Sequence, residues 1–262
     1  MGNLFSRIIV AAILLPLAIG VLWLGGWWLT GFGVVVGLLA LHELWTMARG
    51  HRPIVIAGYL GVIAVVVGAH LDGNEGMVLA LAPTLLIVFI LAAISPSPSA
   101  SSLTGMSVTV FGVVWVGVGL GAVVVLRDAS FDIVLAVLAG TWGGDIGAYA
   151  IGRLFGRRRL APAISPGKSI EGFAGGVLIG TGIVWWILYG QGFTTVESLI
   201  IGFAIAVAGP FGDLFESFVK RDLGVKDSGT LLAGHGGVLD RVDAMLITAP
   251  VALLALWAIG SL

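Results

Sequence analysis

Asp213, Glu216, Ser217 and Lys220 recur at i, i+3, i+4 and i+7, the spacing that lays polar side chains along one stripe of a helix. Asp240 and Asp243 share a face at the start of a later apolar segment, where the helix dipole tolerates anions. Between them runs a loop of about twenty residues whose glycines at 224, 229, 234, 236 and 237 let the backbone approach a ligand closely. From Asp213 to Asp243 the chain carries four basic residues (Lys220, Arg221, Lys226, Arg241) against six acids (Asp213, Glu216, Asp222, Asp227, Asp240, Asp243), a net of −2. A pocket of that sign repels a polyphosphate unless a cation intervenes. Carboxylates at two helix ends are hard oxygen ligands of the kind Mg²⁺ uses, with positions left for substrate phosphates and water. A salt-bridged loop with no ligand is the plainer alternative.

A second locus runs from Thr141 to Gly172. Asp145, Tyr149 and Arg153 fall at i, i+4 and i+8, one face of a helix. Gly144, Gly147, Ala148 and Gly152 surround that face, and close helix packing with an Asp145–Arg153 pairing is the structural alternative. Beyond it Arg153, Arg157, Arg158, Arg159 and Lys168 form a basic loop, suited either to setting topology or to binding acidic lipid. Lys168 and Ser169 lie in Pro-Gly-Lys-Ser, which ends like a nucleotide-binding phosphate loop. That motif requires glycine where this chain has Pro162, and a preceding strand in a soluble α/β domain. What survives is a lysine in a Pro/Gly-bounded turn before an apolar helix, able to meet phosphate as a point charge. Gly172, Gly176 and Gly180 read as a packing face.

The elements that must position these groups are membrane helices. The chain has 262 residues, 58% hydrophobic and only 10% charged, with 41 glycines and a mean hydropathy of +1.11. Soluble domains are typically about 25% charged. An ionised side chain at a membrane-helix centre costs about 2.5–3.5 kcal/mol by insertion scales, so clustered charge beside apolar spans marks function. There is no cysteine, which excludes disulfides and cysteine-ligated metal sites. Apolar runs near 7–24, 26–45, 54–71, 77–95, 106–126, 131–152, 171–190, 197–219 and 242–260 predict nine spans. The predicted fold is an all-α polytopic membrane protein with its N-terminus in the cytoplasm. Twelve of the thirteen lysines and arginines then fall on one side, Arg127 being the exception, as the positive-inside rule asks. The residues near Met1 are read as the first span rather than a cleaved leader. Residues 1–105 are expected to be a scaffold of four spans. Residues 106–262 are expected to be a catalytic region of five, with cytoplasmic loops at 153–170 and 220–241. Trp23, Trp27, Trp28 and Trp257 are expected near outer ends and Trp45 near an inner end, with Trp115 assigned to the core.

The charged C-terminal segment resembles the signature of the phosphatidate cytidylyltransferase (CDP-diacylglycerol synthase) family. Its anchors are Ser217, Lys220, Arg221, Lys226, Asp227, Gly229, His235, Gly236, Gly237, Asp240, Arg241 and Asp243. Asp145, Ala148, Tyr149, Gly152, Arg153, Ser165, Pro166, Lys168, Glu171 and Gly172 resemble that family's second block. Ala233 departs from the pattern, which has proline there. The first four or five spans match in hydropathy alone.

The resemblance implies that CTP and phosphatidate give CDP-diacylglycerol and pyrophosphate at the cytoplasmic face of the inner membrane. It implies Mg²⁺ as cofactor, with Asp213 and Asp240 as its ligands and a monovalent cation such as K⁺ as an optional neighbour. Lys220, Arg221, Lys226, Asp227, His235, Arg241 and Asp243 form the expected catalytic set, the cations neutralising pyrophosphate or lipid phosphate and His235 hydrogen-bonding nucleotide or loop. Asp145, Tyr149, Arg153, Lys168, Ser169, Glu171, Ser217, Gly236 and Gly237 are the expected substrate contacts. Expected partners are CTP, phosphatidate and membrane lipid, with no nucleic acid; a homodimer is compatible with the sequence. Two other readings stay open. A CTP-dependent lipid kinase would use similar groups with an alcohol as attacker, and a cation transporter would also hold acids in its spans.

Overall fold

The computed structural model describes residues 16–94, 102–229 and 236–261, and the chain divides into two compact units. One unit comprises Met1–Asp128 with Leu223–Val242, the other Ala129–Asp222 with Asp243–Leu262. Among the described residues seven helices are long and apolar enough to cross a membrane, with a shorter apolar one between them. This is the architecture of an all-α polytopic membrane protein, with one small β-hairpin added.

In the first unit, residues 16–24 are helical and lead into α1 (Gly26–Met47). The predicted break between the first two apolar runs is real. Gly25 and Gly26 have φ of 65° and 51°, a left-handed conformation that suits glycine. Arg127 closes the break, donating from Nε to Leu22 O at 2.5 Å and from Nη2 to Trp23 O at 2.8 Å. Residues 7–15, half of the predicted 7–24 span, lie outside the described residues. Next come α2 (Val55–Leu79), α3 (Leu81–Ala93) and α4 (Ser102–Ala129), the last including a π-helical stretch, Val113–Val118. The predicted 77–95 span is divided differently. α2 kinks at Asp72 and Gly73, the latter at φ 56°, and continues to Leu79, leaving α3 only 13 residues. Trp115 is core, 6% exposed. Trp45 corrects the expectation of an interfacial ring. It is 4% exposed, and a Cβ at Gly112 would lie 2.6 Å from its Cη2. Gly58 closes over the same indole, so missing side chains make room for a ring that packs inside the unit. Trp23, Trp27, Trp28 and Trp257 are exposed.

The second unit begins at α5 (Phe131–Phe155), capped by Ser130, whose Oγ accepts from Asp132 N at 3.1 Å. The expected basic loop is instead an antiparallel hairpin, β1 (Arg159–Ala161) and β2 (Ser165–Ser169), pairing Arg159 with Ser169 and Ala161 with Ser165. Its turn has Pro162 at the second position and closes with Ile164 N donating to Ala161 O at 3.2 Å, a position where proline's fixed φ is preorganised. Lys168 therefore stands on a strand rather than in a turn. The strand runs into α6 (Ile170–Leu188), then α7 (Thr195–Asp222), which contains Pro210. The chain ends in α9 (Met245–Ala258), which follows the short α8 (Leu239–Val242) of the first unit.

α5 and α6 meet backbone to backbone. A Cβ at Gly172 would lie 2.6 Å from Ala148 O, at Gly176 2.7 Å from Gly144 O, and at Gly180 2.9 Å from Gly140 O. The packing face read from the glycine spacing is thus found as expected, the small-residue contact by which helices associate in lipid.

Candidate active site

Close packing of α7 against the start of the last span builds a carboxylate cluster in the second unit. A Cβ at Gly212 would lie 2.8 Å from Ala244 Cα and 3.0 Å from Asp243 O, so only glycine allows this approach. The result brings Asp213 and Glu216, one turn apart on α7, against Asp243. Carboxylate oxygens of the three lie within 4.8 Å of one another. Glu216 is 1% exposed and accepts from Lys220 Nζ at 2.8 Å, the side chains being 2% and 12% exposed. The i, i+4 spacing seen in the sequence is therefore a desolvated ion pair. Three hard oxygen donors at one point, partly neutralised by Lys220 on Glu216 and Lys168 on Asp213, suit Mg²⁺.

The substitution test of this packing is specific. Gly212→Ala forces α7 away from the last span, and overpacking of this kind costs about 1–3 kcal/mol. Gly209→Ala is the control, because its added methyl meets Thr141 and Thr248 methyls at 3.5 and 3.7 Å, ordinary contact distances. Thermal unfolding in detergent is expected to show a lower midpoint for the first variant and an unchanged one for the second. Equal midpoints would remove the close-approach argument.

Beside the cluster lies a cavity of about 610 Å³, lined by residues of α5, the hairpin, α6 and α7. Arg153, Arg159 and Lys168 bring positive charge to it and Asp145 and Asp213 negative charge. Lys168 joins cavity and cluster. Its Nζ lies 2.6 Å from Asp213 Oδ2 and donates to Pro210 O at 3.2 Å. Arg153 Nη1 donates to Tyr149 Oη at 2.8 Å, and its guanidinium carbon lies 6.0 Å from that ring's centroid. The alternative pairing of Arg153 with Asp145 is not the one adopted. Ile146, Leu154 and Phe155 stand exposed on the same helix, an apolar flank to a cationic cavity.

Two expected substrate contacts are engaged locally. Ser169, 7% exposed, caps α6, its Oγ accepting from Gly172 N at 3.1 Å. Glu171 accepts from the backbone of Arg157 at 3.0 Å and of Arg158 at 3.3 Å, fixing the entry to the basic hairpin. Ser217 is half-buried and Arg221 exposed on α7.

The remaining residues belong to the first unit. Lys226, Asp227 and Arg241 are exposed. Asp240 accepts from Gly237 N at 2.8 Å and Ser228 N at 3.3 Å. Gly236 has φ 79°, and a Cβ there would lie 2.7 Å from Asp240 Oδ2, so both its conformation and its surroundings require glycine. His235 lies outside the described residues. Of the expected metal ligands, Asp213 belongs to the second unit, beside Glu216 and Asp243, and Asp240 belongs to the first, where it accepts from its own loop.

Glu43 went unnoticed in the sequence. It is 2% exposed and takes three hydrogen bonds from the glycine-rich segment: Val238 N to Oε1 at 2.9 Å, Leu239 N to Oε2 at 2.9 Å, and Ser228 Oγ to Oε2 at 3.1 Å. The available signal was an acid inside an apolar span, which is a functional candidate by default.

Residues 5–259 match the profile of the cytidylyltransferase family. A phosphatidate cytidylyltransferase of Pseudomonas aeruginosa is 36% identical over 277 aligned residues, covering 97% of each chain. A protein of the same name from Staphylococcus haemolyticus is 32% identical over 249 residues, 93% of this chain and 95% of its own. One from Mycobacterium bovis is 40% identical over 165 residues, 62% of this chain and 54% of its own. With a family match over nearly the whole chain and full-length relatives above 30% identity, the chain belongs to the cytidylyltransferase family.

Proposed function

We propose that this protein transfers the cytidylyl group of CTP to phosphatidate, giving CDP-diacylglycerol and pyrophosphate. The observation that carries the reading is the Lys168 ammonium 2.6 Å from Asp213, which joins a cationic cavity to a carboxylate cluster that suits a divalent cation. A phosphatidate oxygen attacks the α-phosphorus of CTP; that P–O bond forms as the bond from the α-phosphorus to the bridging oxygen breaks, and pyrophosphate leaves with the electron pair. The attacking phosphate is already anionic near neutral pH, so no general base is required. The difficulty is the meeting of two polyanions, and charge neutralisation with positioning is the means of overcoming it.

Arg153, Arg159 and Lys168 are assigned to the phosphatidate phosphate, with the exposed apolar flank of α5 on the side from which acyl chains enter. Asp213, Glu216 and Asp243 would hold Mg²⁺, which when bound supplies neutralisation of phosphate charge and orientation of the triphosphate. Asp240 stays in the ligand set on the sequence resemblance, which also extends the proposal to a monovalent cation such as K⁺. The loop bearing Lys226, Asp227, Asp240 and Arg241 is assigned to the nucleotide on the same ground. The membrane arrangement proposed is nine spans with the N-terminus and the charged ends at the cytoplasmic face of the inner membrane, where soluble CTP meets a lipid substrate.

The leaving product separates this reading from the lipid-kinase alternative. Purified protein with CTP, phosphatidate and Mg²⁺ is expected to release pyrophosphate in step with phosphatidate consumed. Release of CDP instead would point to attack at the outer phosphorus and reject the proposal.

A further inference from the structure

Glu43 is a buried acid that the reaction as drawn leaves unused. Its carboxylate touches both limbs of the glycine-rich loop: Ser228 on the descending limb, Val238 and Leu239 on the returning one. The two amides open α8, where a helix start leaves N–H groups without intrahelical partners. Asp240 joins the same limbs from within the loop, accepting from Ser228 N and Gly237 N. Two carboxylates therefore tie one pair of chain segments together, and Glu43 does so from the helix α1.

Glu43 also accounts for glycines of the family-like signature. A Cβ at Gly229 would lie 2.6 Å from Glu43 Oε1, and one at Gly237 would run into the same carboxylate. Residues 229 and 237 approach this side chain closely enough that any larger residue at either would displace it. A carboxylate accepts at both oxygens, whereas an amide offers one oxygen and turns N–H groups toward the other donors. The site thus requires an acid, and an isosteric Gln leaves buried donors facing a donor.

We propose that Glu43 is a positioning residue for the cytidylyl transfer, holding together from outside the charged segment the two limbs that carry Lys226 and Asp227 on one side and Asp240 and Arg241 on the other. The proposal rests on the reaction assigned above and on the assignment of that loop to the nucleotide. It predicts a defined kinetic signature. Misplacing a reacting group by about 1 Å can lower the rate by about 10²-fold. Glu43→Gln should lower kcat/KM for CTP by between about tenfold and 10²-fold, through both kcat and the CTP KM. The phosphatidate KM should stay within about twofold, because the residues assigned to that substrate contact other elements. A loss of folded protein would not show this split between substrates.

The experiment uses full-length protein in detergent micelles, with steady-state kinetics on labelled CTP and backbone hydrogen exchange of the peptide containing Val238 and Leu239. Those amides should exchange at least about tenfold faster in Glu43→Gln, as expected when a local structure opens more readily. Gly229→Ala provides a second route, since it keeps the acid but sets a methyl against it; the same kinetic split is expected. Kinetics and exchange unchanged in both variants overturn the proposal, as does an equal rise in the KM of both substrates. If the wild type forms no labelled lipid, the reaction reading fails, and unchanged exchange in Glu43→Gln separately removes the clamp.

Discussion

Asp213→Asn is expected to lower Mg²⁺-dependent CDP-diacylglycerol formation by about 10³-fold or more, while the protein still inserts into the membrane. The magnitude follows from what a metal supplies: several kcal/mol of charge stabilisation, at about 1.36 kcal/mol per tenfold in rate. Asn keeps the shape and one oxygen but loses the charge. Asp213 is the member of the cluster that also meets Lys168, at 2.6 Å, so its replacement disturbs both the cation site and the cationic cavity. Helix packing is not expected to suffer, because Gly212, not Asp213, makes the close contact with Ala244. Membrane extraction, size-exclusion elution and initial rates over a Mg²⁺ series check the prediction. Wild-type rates at every Mg²⁺ concentration would remove Asp213 from the metal site.

Lys168→Met is expected to lower kcat/KM for phosphatidate by about 10²-fold, with a smaller change in the KM for CTP. Losing one preorganised charged donor to a phosphate in a transition state typically costs about 10²–10³ in rate. Lys168 is the cavity cation that also reaches the carboxylate cluster: its Nζ bonds Pro210 O and Asp213, while Arg153 is turned to Tyr149. Because Lys168 and Asp213 touch, their effects should not add. Lys168→Met combined with Asp213→Asn should be barely slower than Asp213→Asn alone. Additive losses would mean the two residues act on separate steps, against the assignment of Lys168 as the link between cavity and cluster.

The parts of this arrangement governed by local periodicity were legible in the sequence. Asp213, Glu216 and Lys220 at helical spacing do form one stripe, realised as the Lys220–Glu216 pair and the Asp213–Glu216–Asp243 cluster. The glycine series on α6 does make a backbone contact with α5. The hairpin was hidden because strands of three and five residues, Arg159–Ala161 and Ser165–Ser169, are too short to show alternation, and their proline and glycine read as loop. Glu43 was hidden for a different reason. Its partners Val238 and Leu239 are 195 and 196 residues away, and no spacing rule reaches that far. Trp45 was misread because position near a span end suggested the interface, whereas Gly58 and Gly112 opposite it create an interior slot. In each case tertiary contact, rather than local pattern, decided the outcome.

The central claim is that the α-phosphorus of CTP ends on the lipid. Purified protein should be given phosphatidate and Mg²⁺ with CTP labelled either at the α- or at the γ-phosphate. The account predicts labelled lipid from α-labelled CTP alone, with the γ-label recovered entirely in pyrophosphate. Label passing to lipid from the γ-position, or no labelled lipid from either, would contradict it.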